Sequence, residues 1–124
     1  FQGFEHESVF EQYPELRATE SLLAVEPIPA GGEALDALYE RVTTAWADAV
    51  ADADPDETVA IVTHGGPIYL VLGHLKCMDP VPAITGGAQA NCAINEVTVP
   101  PGDQSESAET PTEPTVVREN DTVY

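Results

Sequence analysis

The chain has 124 residues and a formal net charge of −18, from 22 Asp and Glu against 4 Lys and Arg. So few cations cannot form a basic stripe, which excludes a protein that binds nucleic acid through its phosphate backbone. No apolar run approaches the ~20 residues that span a bilayer, and no signal peptide opens the chain. We therefore expect a cytoplasmic protein with no membrane partner.

The negative charge has two interpretations. A folded protein adapted to a salt-rich cytoplasm is favoured, because the apolar fraction of 43% is ordinary. At ~1 M salt the screening length falls to ~3 Å, so dense surface carboxylates repel one another only weakly. The alternative is an acidic, partly disordered interaction protein. The two cysteines, Cys77 and Cys92, are too few for a disulfide scaffold, and we predict that both are reduced core residues.

Residues 1–3, Phe-Gln-Gly, match the end of a common protease tag site or are natural sequence, and they carry no functional weight. A short helix is predicted from Phe4 to Pro14, because Glu and apolar residues alternate there and Pro14 closes the pattern. Residues 17–32 contain two prolines and two glycines, which predicts a loop.

A longer helix is predicted over residues 33–52, where apolar side chains recur three and four residues apart. Glu33 falls in its first turn, where a negative charge suits the helix dipole. The helix is expected to end before Pro55. The short β-branched run at residues 58–62 is typical of a strand buried on both faces of a parallel sheet.

A turn at residues 63–66 and a helix from Pro67 follow, since proline suits the first helical position. A Pro- and Gly-containing loop is predicted over residues 78–88 and a strand over residues 91–99. Residues 115–118 are predicted to form a last strand that pairs with residues 92–99 as a hairpin.

The segment that can carry chemistry is centred on His64. It follows the predicted strand directly, and ligands of open α/β sheets bind outside the carboxyl ends of the strands. Gly65 and Gly66 come next without bulky side chains, at a helix N-terminus that favours anions such as phosphate. His64 can donate a hydrogen bond to a phosphoryl oxygen or act as an acid or base. The alternative is a histidine that caps the helix or fills space.

Several spaced motifs resemble the histidine phosphatase superfamily, in its phosphoglycerate mutase-like group. The resemblance rests on Gly31-Gly32-Glu33, Arg41 within its helix, Thr63-His64-Gly65-Gly66-Pro67, Asn91-Cys92-Ala93-Ile94 and Glu119-Asn120-Asp121-Thr122. The segment from Phe4-Glu5 to Glu15 also resembles the family's Trp-Glu-Gly stretch and the helix after it. These matches divide the chain into a family-like core at 4–99, an acidic flexible loop at 100–114, and a terminal strand and tail at 115–124.

The resemblance implies a phosphohistidine mechanism. In the family, a histidine in an Arg-His-Gly triplet takes up the phosphoryl group, while a second histidine, matching His64, and two arginines hold it. Gly65 and Gly66 are the expected phosphate-binding residues beside His64. Glu5, which matches the family's Trp-Glu-Gly glutamate, and Glu33 are candidate cleft residues, and helix capping is the favoured role of Glu33. Phosphate or a phosphorylated small molecule is the implied ligand, with no cofactor and no metal.

The sequence departs from the family in one serious respect, because it contains no Arg-His-Gly triplet. The family carries that triplet, the second phosphate-binding arginine and the acid that protonates the leaving group upstream of the segment that matches Phe4, and none of Arg17, Arg41 or Arg118 matches the phosphate-binding arginines. We therefore expect the C-terminal part of such an enzyme, inactive by itself. The alternative is a non-catalytic anion-binding or assembly module derived from the same fold.

The expected fold class is α/β. Specifically, the resemblance implies part of a three-layer α/β/α sheet that lacks the family's nucleophile-bearing strand. Strand 58–62 would then have exposed edges, and such edges pair with other chains. We therefore expect one of three arrangements. Another copy supplies strands in a homo-oligomer or strand-swapped dimer, the sheet is rearranged, or a missing upstream segment of a longer parent completes it.

Overall fold

A computed structural model describes residues 3–14, 31–101 and 113–124. The chain divides into two compact units, Phe1–Leu38 and Tyr39–Tyr124. In chain order the elements are α1 (His6–Gln12), α2 (Leu35–Ala51), α3 (Gly65–Leu75), α4 (Pro80–Gly86), β1 (Ile94–Thr98) and β2 (Thr115–Asp121). This mixture of helices and a small sheet agrees with the predicted α/β class. Most of the predicted loops at 17–32 and 100–114 lie outside the described residues.

The two helices predicted in the first part of the chain are present with narrower bounds. In α1 the Val9 amide donates to the carbonyl of Glu5 at 3.2 Å, and the Val9 side chain is fully buried. Helix α2 ends before Pro55, as expected, but it begins at Leu35. Glu33 therefore precedes the helix and does not lie in its first turn. The first hydrogen bond of the helix runs from the Leu38 amide to the Ala34 carbonyl at 3.0 Å, and Ala34 therefore directly precedes the first turn.

The prediction of a buried strand at residues 58–62 is wrong. These residues form no strand, and Val62 is 97% exposed, Ile61 53% and Val59 48%. The sheet formed by the described residues consists of β1 and β2 alone, so it provides no neighbour for this segment. β-branched composition favours a strand locally, but a strand is stable only when its backbone groups pair with an adjacent one.

Helix α3 begins at Gly65, two residues before the predicted start, and buries Leu70 and Leu72. The predicted loop at 78–88 contains a further helix, α4, so that prediction is also wrong. Pro80 occupies its first position. A Cβ placed on Gly73 of α3 would lie only 2.3 Å from the Cβ of Ala83. The missing side chain thus lets α4 pack directly on α3, and this tertiary contact explains a helix that the local sequence does not predict.

The predicted terminal hairpin is confirmed. Strands β1 and β2 pair antiparallel, with Thr98 opposite Thr115 and Val97 opposite Val116, and the ladder is irregular around Glu96. Arg118 donates to Glu96 across the hairpin at 2.7 Å and to Asp121 at 3.2 Å. These cross-strand and local ion pairs lie on the exposed face of the sheet.

Both cysteines are free, as predicted, but they are exposed, so their placement in the core is wrong. Cys77 and Cys92 adopt positive φ angles of 56° and 62°. Such angles occur at turns, where side chains usually face solvent. In the part of the chain that the structure covers, no helix is long and apolar enough to cross a bilayer.

The hairpin ion pairs predict a pH-dependent contribution to stability. A hydrogen bond from the Val123 amide and another from Arg118 lower the pKa of Asp121, and the contacts with Asp121 and Glu96 raise the pKa of Arg118. Because the pKa of Asp121 is lower in the folded state, its contribution is complete above the unfolded pKa of about 3.9. That contribution is lost as the pH falls through the folded pKa.

The experiment compares the wild type with Asp121→Asn, which keeps the oxygen that accepts from Val123 but cannot ionise. We expect the wild type to have the higher urea midpoint at neutral pH, and the difference to shrink below about pH 4. Measuring the difference cancels the repulsion among the other carboxylates. A difference that stays constant down to about pH 2 would contradict this role for Asp121.

Candidate anion-binding site

His64 occupies the residue position immediately before α3. Its backbone is extended (φ −109°, ψ 169°), and its side chain makes no capping hydrogen bond to the helix. The residue is also exposed. Its imidazole therefore neither caps the helix nor fills a space in the core, and it is accessible to a ligand from solvent. Because residues 58–62 are not a strand, His64 is positioned by the helix that follows it.

The first turn of α3 presents two backbone N–H groups in one direction. The first hydrogen bond of the helix runs from the Ile68 amide to the His64 carbonyl at 3.2 Å. The amides of Gly65 and Gly66 precede that bond and have no acceptor within the helix, and Pro67 has no N–H. These two groups form the partially positive end of the helix dipole. Space is open beside Gly66, since a Cβ there would meet nothing within 4 Å.

The sequence around this turn is nearly free of charge. Among residues 58–95 only Lys76 and Asp79 carry a charged side chain, although the whole chain has 22 acidic residues. Carboxylates close to His64 would repel an anion, so their absence from this stretch suits an anion-binding site. This low density of charge around His64 is visible in the sequence alone.

The other candidate residues lie elsewhere. Glu5 and Glu33 belong to the first unit and are exposed, so their place at a cleft remains a prediction. His74 lies in the last turn of α3, and its Nδ1 is hydrogen-bonded to the Tyr39 hydroxyl at 2.8 Å. The described residues contain no cluster of three or more His, Cys, Asp and Glu side chains that could hold a metal ion.

Comparison with known proteins identifies the family. A family model for the histidine phosphatase superfamily (branch 1) matches residues 1–108. A relative from Arabidopsis thaliana, phosphoglycerate mutase-like protein 4, is 51% identical over 41 residues, which are 33% of this chain and 17% of that protein. No solved structure matches the chain. Since the family match covers most of the sequence, the chain belongs to the histidine phosphatase superfamily.

Proposed function

We propose that this chain provides the second phosphate-binding histidine of a phosphoglycerate mutase-like phosphoryl-transfer site. The observation that carries the proposal is the placement of His64, exposed and without a capping bond, directly before two glycine amides at a helix N-terminus. In this role His64 donates a hydrogen bond to one phosphoryl oxygen, while the amides of Gly65 and Gly66 donate to the others. The donors stabilise the negative charge that spreads over the phosphoryl oxygens during transfer.

We further propose that these 124 residues do not catalyse turnover by themselves. The family mechanism requires a nucleophilic histidine within Arg-His-Gly, and the sequence contains no such triplet. His64 matches the histidine that holds the phosphoryl group, not the one that accepts it. An acid-labile phosphohistidine formed on this chain alone would contradict the proposed inactivity.

Binding of inorganic phosphate, followed by the amide NMR signals of Gly65 and Gly66, tests the site. The His64→Ala variant is expected to bind phosphate about 10- to 100-fold more weakly, because a hydrogen bond to a charged group contributes about 1.5–3 kcal/mol. Its unfolding midpoint should change little, since His64 is exposed and makes no capping bond.

The matched control is His74→Ala, which removes the other histidine of the same helix, at its opposite end. This variant is expected to bind phosphate as the wild type does, although it loses the hydrogen bond to Tyr39. Equal loss of affinity in both variants, or unchanged affinity in His64→Ala, would rule out a specific role for His64.

The exposed segment at 58–62 favours the alternative, a non-catalytic anion-binding or assembly module. Val59, Ile61 and Val62 expose apolar surface to water, and unpaired apolar segments tend to pair with other chains. In either case we propose that the three-layer sheet is completed by strands from a second copy or from a further segment. The parent open reading frame upstream of Phe4 separates the two functions, because an Arg-His-Gly there supports the enzyme.

A further inference from the structure

The side chain of Tyr69 lies between the candidate anion site and the segment that follows α4. One edge of its ring is 3.5 Å from the position of a Cβ on Gly65, and the other edge is 2.2 Å from that of a Cβ on Gly87. Glycine is therefore required at position 87, because any side chain there would overlap the ring. The ring holds the backbone of Gly87 one ring width from the first turn of α3.

The Tyr69 hydroxyl adds a directed contact to this packing. It accepts a hydrogen bond from the Gln89 amide at 3.0 Å, in a partly buried position. Residues 87–90 form no helix or strand, so no regular pattern of backbone hydrogen bonds holds them in place. The hydroxyl thus supplies one fixed point in an otherwise irregular segment.

The same segment is tied to the hairpin by a network of neutral amides. The side chains of Gln89 and Asn95 form two reciprocal hydrogen bonds, at 3.0 and 2.9 Å. The Oδ1 of Asn95 also accepts a hydrogen bond from the backbone N–H of Asn120 at 2.9 Å. The Oδ1 of Asn120 in turn accepts from the backbone N–H of Ala90 at 2.7 Å. Asn120 has a positive φ of 51°, a conformation that asparagine tolerates well.

We propose that Tyr69 is a positioning residue for the anion site, fixing residues 87–90 as a wall beside the first turn of α3. The inference rests on the proposed phosphate-binding role of His64, Gly65 and Gly66. A wall held in place restrains the first turn of α3 through the Tyr69 ring that packs on Gly65, so less ordering is needed when the two glycine amides donate to a bound anion. Its own side chains are small or neutral, so it brings no negative charge to the site.

The test uses Tyr69→Phe in the full 124-residue chain. This change keeps the ring that packs on Gly65 and Gly87 and removes only the acceptor for Gln89. We expect hydrogen exchange of the Gln89 amide to become faster. We also expect inorganic phosphate, followed by the Gly65 and Gly66 amide signals, to bind about 3- to 10-fold more weakly, as for the loss of one net hydrogen bond.

The matched control is Tyr39→Phe, which removes the tyrosine hydroxyl that contacts the opposite end of α3. All titrations are run well below the unfolding temperature of each variant, so a change in affinity does not reflect unfolding. Tyr39→Phe is expected to bind phosphate as the wild type does, and an equal loss in both variants would overturn the positioning role.

The outcomes separate this inference from the proposed function. If the wild type shows no phosphate-dependent shifts at Gly65 and Gly66, the proposed function fails and the inference fails with it. If the wild type binds phosphate and Tyr69→Phe binds it equally well, only the positioning role is overturned. Unchanged exchange at Gln89 in the variant would also overturn it.

Discussion

Leu70→Ala is expected to reduce the free energy of unfolding by about 2–5 kcal/mol, the usual cost of truncating a fully buried leucine. Leu70 is completely buried in the middle of α3. Its truncation leaves a cavity that the packed neighbours fill only in part. For a domain of ordinary stability, this loss is a large share of the total. Urea denaturation followed by circular dichroism measures it directly.

Val62→Ala is the matched control, because it also truncates an aliphatic side chain but at a position that is 97% exposed. We expect a change within about 0.5 kcal/mol. If residue 62 were in a buried strand, as its composition suggests, the truncation would cost more than 1 kcal/mol. Similar losses in the two variants would show that residues 58–62 are buried in solution.

Gly73→Ala should destabilise the protein, although alanine is the better helix former by about 1 kcal/mol. The new Cβ would lie 2.3 Å from the Cβ of Ala83 and 3.5 Å from its Cα. Neither of those atoms is the end of a flexible side chain, so relief requires that α4 move away from α3. Overpacking of this kind costs about 1–3 kcal/mol, which outweighs the gain in helix propensity.

Gly66→Ala provides the comparison within the same helix, since a Cβ at that position meets nothing within 4 Å. Its stability is expected to equal or slightly exceed that of the wild type. The denaturant midpoints of the Gly66→Ala and Gly73→Ala variants measure this difference in stability. A Gly73→Ala protein as stable as Gly66→Ala would mean that α4 does not pack closely on α3.

Elements with a periodic apolar pattern could be predicted from the sequence, and those that depend on distant partners could not. The apolar periodicity of α2 and the positions of Pro14 and Pro55 specify local structure. The structure contains α1 and α2, and each helix ends before the corresponding proline. Helix α4 was missed because its formation depends on the gap left by Gly73, seven residues earlier. The prediction for residues 58–62 failed for the opposite reason. The local composition favours a strand, but no neighbouring strand is present among the described residues.

The candidate site shows the same division. His64 and its glycines could be found because they are contiguous and resemble a family motif. Tyr69, Gln89, Asn95 and Asn120 could not, because hydrogen bonds link residues up to 30 positions apart. No spacing rule marks such a network. Most glutamine and asparagine side chains are exposed on protein surfaces, so their presence in the sequence does not indicate a hydrogen-bonded network.

The network around Gln89, Asn95 and Asn120 also bears on how the site responds to ionic strength. With a net charge of −18, the repulsion among surface carboxylates changes strongly as salt shortens the screening length from about 10 Å at 0.1 M to about 3 Å at 1 M. Hydrogen bonds between neutral amides carry no net charge to screen. The scaffold of the site is therefore held by contacts that keep their strength from dilute buffer to concentrated salt.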